Sequence, residues 1–458
     1  MIKHIYHYNV HSEQRYFLDK DRDLYDLIAL NGNIVSHTPA GVAAFLANSG
    51  KEFYIDPQTH AFQHATIHLK RDISDKNKGE KPKYEFKPSI VKLANERLCG
   101  PFSSVIKNDH PLSYNDFVSS DKSLNKEVIT CVCEGVISFQ TKTILESLDD
   151  EAKEFLGDTN QLQPKFIVAP YFYLSPTLFR EWLSVTIACY VETKNILSDS
   201  QVFLALVVSK EAIEEDYTHI IQALSLLKPD GILLWIDEHI EEELSKPGIL
   251  RYVDFLKRLK DTTGTIYNIH GGYLSILLCH PDVNILNGVG HSVNYGENRS
   301  VVPIGGGIPM ARFYFPSIHS RIRFGDASAI AVSKKLLISA DEYRKSICCC
   351  RQCMELLSNS KSVDEAFFAY GESNPVVFRR RTGSIASLEY PTSASKIYAA
   401  RHYLYNKAKE FYELNQSSLN DILSNLNTSY SELSPYSGDK LVSHLLSWEN
   451  SLRQFIKS

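Results

Sequence analysis

The segment SICCCRQCMEL, residues 346–356, places four cysteines within six positions of a 458-residue chain that holds only nine. Cys348, Cys350 and Cys353 form Cys-x-Cys-x-x-Cys, a spacing that brings three thiolates together around a turn. A tetrahedral zinc ion bound by three sulfurs needs one further donor, soft or imidazole. His402, 49 residues beyond Cys353 in AARHYLYNKAKEF, is placed to supply it from a helix. Such a tetrahedron leaves no open position for water, so the Zn2+ expected here is structural. Cys349 cannot share the ion with both of its neighbours and does not join the set. The competing arrangement is a patch of buried, unligated thiols. A second short pair, Cys131 and Cys133 in CVC, sits in an apolar run and reads as core.

Carboxylates form the second group. Asp56 closes the apolar run EFYI and precedes Pro57, a position suited to a strand-to-loop turn. A carboxylate there can transfer protons, or it can cap the following element. Asp237 closes another apolar run in LLWIDEH, while Asp326 in FGDASA and Glu297 in NYGENR serve equally well as caps or surface charges. Near them lies the glycine-rich stretch NGVGHSVNYGENRSVVPIGGGIPMARFYFPSIHSR, residues 287–321. Backbone amides of Gly305 to Gly307, with Arg299, Arg312 and Arg321, can cradle phosphate or a nucleic-acid backbone; a structural loop is the alternative. No Gly-Lys-Ser/Thr follows, so this is not a P-loop. His270, His291 and His319 fall among these loops without metal-ligand spacing.

The elements that must position these groups alternate. Short apolar runs recur at KFIVAPYFYL (165–174), QVFLALVVS (201–209), DGILLWID (230–237), GTIYNIHGGY (264–273) and VNILNGVG (283–290). Between the later ones lie EEDYTHIIQALSLLK and GILRYVDFLKRLKD, whose apolar residues fall three and four apart as in a helix. Strand and helix in this order imply βα units and a parallel sheet. Closed into a TIM (β/α)8 barrel, such a sheet carries its chemistry at the C-terminal strand ends. Asp56, Tyr171, Ser209, Asp237, His270 and His291 would then converge on one mouth. From about residue 338 the alternation stops and helix-patterned segments follow, with the Ser- and Asn-rich stretch 415–438 reading as a loop. The expected architecture is an α/β barrel over 1–340 and a zinc-binding helical region over 341–458.

A composition of 43% hydrophobic and 22% charged residues supports a large core and excludes disorder. The formal charge of -5 excludes a basic field over the whole surface. Nucleic acid would need a local patch, such as Arg379, Arg380 and Arg381 in FRRRTGS with Lys396, Arg401, Lys407 and Lys409, residues that otherwise form a solvated face. The opening MIKHIYHYNVHSEQRYFLDKD lacks the apolar run of a signal peptide, and no stretch reads as the roughly 20 apolar residues that span a bilayer. A cytoplasmic protein without a membrane partner is expected, and in that reducing compartment clustered cysteines favour metal over disulfides.

Cys-x-Cys-x-x-Cys after a run of βα units, followed by a helix with a lone His, resembles the zinc subdomain of the tRNA-guanine transglycosylase family. EFYIDPQTHAFQ resembles the family's first-strand segment, and FIVAPYFYL, FLALVVSK, GILLWIDE and IYNIHGGYLSILL fall where later barrel strands are expected. The interval from the last Cys to the His is longer than in the family, and an insertion containing FRRRTGSIASLEYPT accounts for it. The likeness covers most of the chain, with the zinc motif as its specific part.

The resemblance implies a base exchange through a covalent carboxylate intermediate. Asp56 matches the family's proton-transfer Asp by position. The family's nucleophile follows the last barrel strand in an Asp-Cys motif; the corresponding VNILNGVGHS offers Asn287, an amide that cannot attack. Asp237 is then the best placed alternative, ahead of Asp326 and Glu297. The family's base-recognition Asp is replaced by Ala169 and Pro170. Tyr54, Tyr171, Phe172 and Tyr173 either stack on an extruded base or pack strand ends. Tyr171, His270, Gly271, Gly272, His291 and Arg312 are candidate substrate contacts. The function implied is exchange of guanine for a 7-deazaguanine derivative in a nucleic acid, DNA slightly ahead of tRNA, by a homodimer or a heteromeric complex. Asn287 speaks for an alternative, a catalytically inactive subunit that binds nucleic acid or a protein partner. Hydrolysis of a glycosidic bond is a third reading.

Overall fold

The computed structural model describes residues 2–8, 21–74, 82–98, 100–156, 159–215, 217–293, 296–302, 310–379 and 384–457. Eight strands are β1 (Lys3–Tyr8), β2 (Leu27–Asn31), β3 (Glu52–Asp56), β4 (Ile167–Val168), β5 (Val202–Ser209), β6 (Gly231–Asp237), β7 (Ile266–Asn268) and β8 (Gly288–His291). They pair in parallel in the order β3-β2-β1-β8-β7-β6-β5-β4. At the remaining seam the Lys165 amide donates to the Phe53 carbonyl at 2.8 Å. The sheet is therefore a nearly closed parallel barrel.

Alternate residues of each strand face the lumen. Ile5, Ala29, Tyr54, Ala205, Leu233 and Trp235 belong to the buried lumen cluster, and the same parity turns His7, Asn31, Asp56, Ser209 and Asp237 inward at the C-terminal ends. Register pairs Asn31 with Asp56 and Ser209 with Asp237 at these ends. β1 and β2 were not legible as strands, because Lys3, His4 and His7 dilute the apolar pattern of KHIYHY; both histidines are nevertheless buried.

The helix Lys126–Glu146 corrects the expectation that nothing in the chain is long and apolar enough to cross a bilayer: by length and composition this helix is. Half of its most apolar window is buried in the fold, where Ile129, Val132, Val136 and Phe139 pack into the core. It also corrects CVC. Residues two apart on a helix face different sides, so Cys133 is buried and Cys131 exposed.

Beyond the barrel, β9 (Arg312–Phe315) and β10 (Ser320–Arg323) form an antiparallel pair, and the helix Ser393–Gln416 packs against β9. The interval between the cysteines and His402 includes a hairpin of strands Ser373–Arg379 and Ile385–Pro391. Residues 419–437, expected as a loop, are a helix: Leu419, Ile422, Leu423, Leu426 and Leu433 form one buried stripe, and Ser418 caps the end by accepting from the Asp421 amide at 3.2 Å. The Ser and Asn residues that suggested a loop occupy its solvent side. One continuous cluster of buried side chains joins the barrel's outer layer to these helices.

Candidate barrel-mouth site and metal centre

At the end of β3, Asp56 Oδ1 accepts hydrogen bonds from the Tyr171 hydroxyl at 2.6 Å and the Gln58 amide at 2.9 Å. Thr59 fixes this corner: its hydroxyl donates to the Tyr171 carbonyl at 2.5 Å, and the Tyr171 amide donates back to it at 2.9 Å. Burial raises the pKa of Asp56, opposed by the bonds from Tyr171 and Gln58 and by the charge of Arg299. At the end of β6, Asp237 Oδ2 accepts from the Tyr173 hydroxyl at 3.1 Å and Oδ1 from the Val301 amide at 2.8 Å. Each acid is thus held by one tyrosine of the segment following β4.

Arg299 joins them. Its carbonyl accepts from Trp235 Nε1 at 2.9 Å, and its guanidinium lies 5.5 Å from the Trp235 ring centroid. Around Trp235 stand His60, at 5.2 Å between centroids, and His270, at 4.6 Å. Tyr171 stacks on His60 and His7 stacks on His270. Burial lowers the pKa of both His60 and His270 well below the ordinary imidazole value, so both rings are neutral.

Gly271 and Gly272 follow His270 in a turn too tight for side chains: a Cβ on Gly271 would lie 2.7 Å from Asn268 Nδ2, and one on Gly272 2.8 Å from Glu241 Oε2. Their role is to let the backbone close on the Glu241–Ser275–Asn268 network that supports His270. Tyr54 is inside the lumen, stacked on Phe166, whereas Phe172 packs with Trp182 in the outer core. Ser209 Oγ accepts from the Ala212 amide at 3.3 Å and so caps a helix.

Two expected substrate contacts are not brought into the mouth. His291 faces outward, packed against His4, Tyr403 and Phe411. The parity follows from Gly290, where a Cβ would sit 2.5 Å from the Ile269 carbonyl oxygen and 2.7 Å from His7 Nε2, so the residue that faces in must be glycine and its neighbour faces out. Arg312 is exposed at the start of β9, outside the ring-lined mouth. Asn287 precedes β8, at the end of the barrel opposite the mouth, where its Oδ1 accepts from Lys260 Nζ at 2.7 Å and the Ile266 amide at 2.9 Å. Asp326 lies in the first turn of the helix Phe324–Ser333. Gly305 to Gly307, Arg380 and Arg381 lie outside the described residues.

The cysteines and the distant imidazole do meet. Cys348, Cys350, Cys353 and His402 offer ligand atoms that all lie within 4.8 Å of one another. His402 Nδ1 is 3.5 Å from Cys350 Sγ and 3.3 Å from Cys353 Sγ. A tetrahedron with Zn–S bonds of about 2.3 Å and a Zn–N bond of about 2.0–2.1 Å places such donors roughly 3.5 Å apart. On the other side of the ring, His402 Nε2 donates to the Tyr314 carbonyl at 2.7 Å, which leaves the Nδ1 lone pair aimed at the sulfurs. Tyr343 and Tyr370 hydroxyls approach Cys353 Sγ at 3.3 and 3.2 Å, and Asn406 Nδ2 approaches Cys348 Sγ at 3.4 Å. This donor set can bind a metal ion.

Five residues along the same helix, Lys407 is fully buried between Glu297, at 2.5 Å, and Glu410, at 2.9 Å. Glu410 also takes bonds from Tyr314 and His319. Burial pushes the Glu297 carboxyl up to about 8 despite its lysine partner, while Lys407 and His319 hold Glu410 low against its own burial. Glu297 is thus a buried structural contact, tying the loop that carries Arg299 to the helix that carries His402. Spacing gave no signal for Lys407, Trp235, His7 or His60 as members of either site; only the fold brings them in.

Comparison with protein-family models, curated proteins and solved structures finds no match to this chain.

Proposed function

We propose that the chain is a transglycosylase-like (β/α)8 enzyme that exchanges guanine for a 7-deazaguanine derivative in a nucleic acid, DNA ahead of tRNA. The observation that carries this reading is the pair Asp56 and Asp237, lumen-facing at the C-terminal ends of β3 and β6, each on a tyrosine hydroxyl and set among ring side chains. Asp237 attacks the anomeric carbon; its C–O bond forms as the bond to guanine breaks. Asp56 protonates the departing base, then takes the proton from the incoming deazaguanine, whose nitrogen displaces Asp237 and restores the glycosidic bond. A carboxyl raised by burial suits that alternation of acid and base. Cys348, Cys350, Cys353 and His402 would hold Zn2+, which would supply a structural cross-link with no open coordination position.

The place of Asn287 removes its support for an inactive subunit, since an amide at the opposite end of the barrel says nothing about the nucleophile. The test is incubation of the protein with an oligodeoxynucleotide or tRNA and a labelled 7-deazaguanine. Incorporation that Asp56→Ala and Asp237→Ala each abolish is expected. Tight nucleic-acid binding without incorporation identifies a binding subunit instead, and release of guanine without incorporation identifies a hydrolase; either result overturns base exchange.

A further inference from the structure

His60 and His270 both stand edge-to-face with Trp235, each backed by a stacked ring, Tyr171 at 5.1 Å and His7 at 4.7 Å. They are buried, 3% and 6% exposed, yet the Nδ1 atom of each has no hydrogen-bond partner. A buried polar atom left unsatisfied costs about 1–3 kcal/mol, so two such atoms on the rings around one indole require a reason. A metal centre of three or more ligands is not that reason: among the described residues the only such group within 4.8 Å is the Cys3His set. Structural hydrogen bonding is not either, because the Glu241–Ser275–Asn268 network that supports this corner is complete without these nitrogens. Nor is an anion the fitting guest for the imidazoles themselves, since burial keeps both rings neutral.

We propose that His60 and His270 are the base-reading residues of the mouth, their Nδ1 atoms hydrogen-bonding the edge of a neutral heteroaromatic ring that packs against Trp235. A neutral imidazole nitrogen either donates or accepts according to tautomer. A planar ring bearing both donors and acceptors, a nucleobase, satisfies the pair, and the flanking rings offer faces for it to stack on. Val301 is buried in the same lumen cluster as Trp235, with its amide on Asp237. The proposal rests on the base-exchange reading for the identity of the ring, and not for the two nitrogens that bind it.

Trp235 provides the readout. Free guanine, 7-deazaguanine, adenine and cytosine are titrated into the full-length protein while tryptophan fluorescence is followed, with Trp235→Phe assigning the signal and calorimetry giving affinity. Wild type is expected to bind guanine or 7-deazaguanine more tightly than cytosine. His60→Ala and His270→Ala are each expected to weaken that binding by about 10- to 100-fold, the equivalent of one lost hydrogen bond to a buried group. His60→Gln, which keeps a donor and an acceptor, recovers part of the loss if the nitrogen reads the base, and recovers none if the ring only packs. Circular dichroism checks that each variant folds. Wild type that binds none of the four bases, or alanine variants that bind as wild type does, overturn the assignment. Base binding that depends on both histidines without any incorporation leaves it standing and removes base exchange; incorporation with an unchanged KM in both variants does the reverse.

Discussion

The Cys3His cluster and the barrel mouth both gather buried polar side chains, but only the first is complete. At the cluster each donor is already oriented: His402 by the Tyr314 carbonyl, Cys353 by two tyrosine hydroxyls, Cys348 by Asn406. At the mouth Asp56 and Asp237 are oriented, while His60 and His270 each retain a nitrogen with no partner. The difference is the one that a resident ion and, on the proposal above, a visiting ring would call for. A permanent ion needs all of its ligands prearranged around it, whereas a transient ring needs hydrogen-bonding capacity left open until it arrives.

The comparison breaks most severely at the cluster. Cys350→Ser is expected to drop bound zinc below half an equivalent by elemental analysis and to melt the C-terminal helices in a thermal scan, because apparent zinc-binding energies of about 10–16 kcal/mol couple directly to folding. Near-stoichiometric zinc in that variant would count against the donor set. At the mouth, Asp56→Asn keeps the shape but cannot move protons; incorporation of labelled base should fall by about 100- to 10,000-fold with the melting temperature little changed.

Between the two regions lies Lys407. Lys407→Met strands Glu410 as a buried carboxylate without its lysine and should cost about 3–5 kcal/mol in urea unfolding. Glu297 also sets a pH dependence. Its carboxyl, ordinarily near 4.5, is pushed up to about 8, so between those values the native protein keeps a proton that the unfolded chain has released. Stability from this group therefore declines as pH rises through that window, and Glu297→Gln should flatten the decline in melting temperature between pH 5 and pH 8. The smallest effect is expected at Arg312, exposed and away from the mouth: Arg312→Ala should change base binding by less than about twofold.

Legibility differed by region for physical reasons. The four-residue donor set was readable because coordination chemistry restricts residue type and spacing, and the helix that carries His402 needs only its own pattern. Asp56 and Asp237 were readable because each ends an apolar strand. His291 was read toward the mouth, yet strand parity turns it outward; a one-residue step reverses the face, and what fixes the step is the tight approach at Gly290. The helix at 419–437 was hidden by its Ser and Asn side chains, although five apolar residues at helical spacing were present all along. β1 was hidden by histidines whose burial depends on neighbours far away in the chain.

By itself the sequence determined the alternation of strands and helices, the donor set for a metal ion and the two acids that end strands, because these depend on local periodicity and on residue chemistry. Tertiary structure alone decided that residues 348–353 and 402 meet, that Lys407 is buried between two glutamates, and that His60, Trp235, His270 and Arg299 share one mouth. The mouth follows from closing the sheet, and the metal centre and the Lys407 pair from packing the helix Ser393–Gln416 beside it. Closure sets which strand ends become neighbours, and no local pattern encodes a distance between residues hundreds of positions apart.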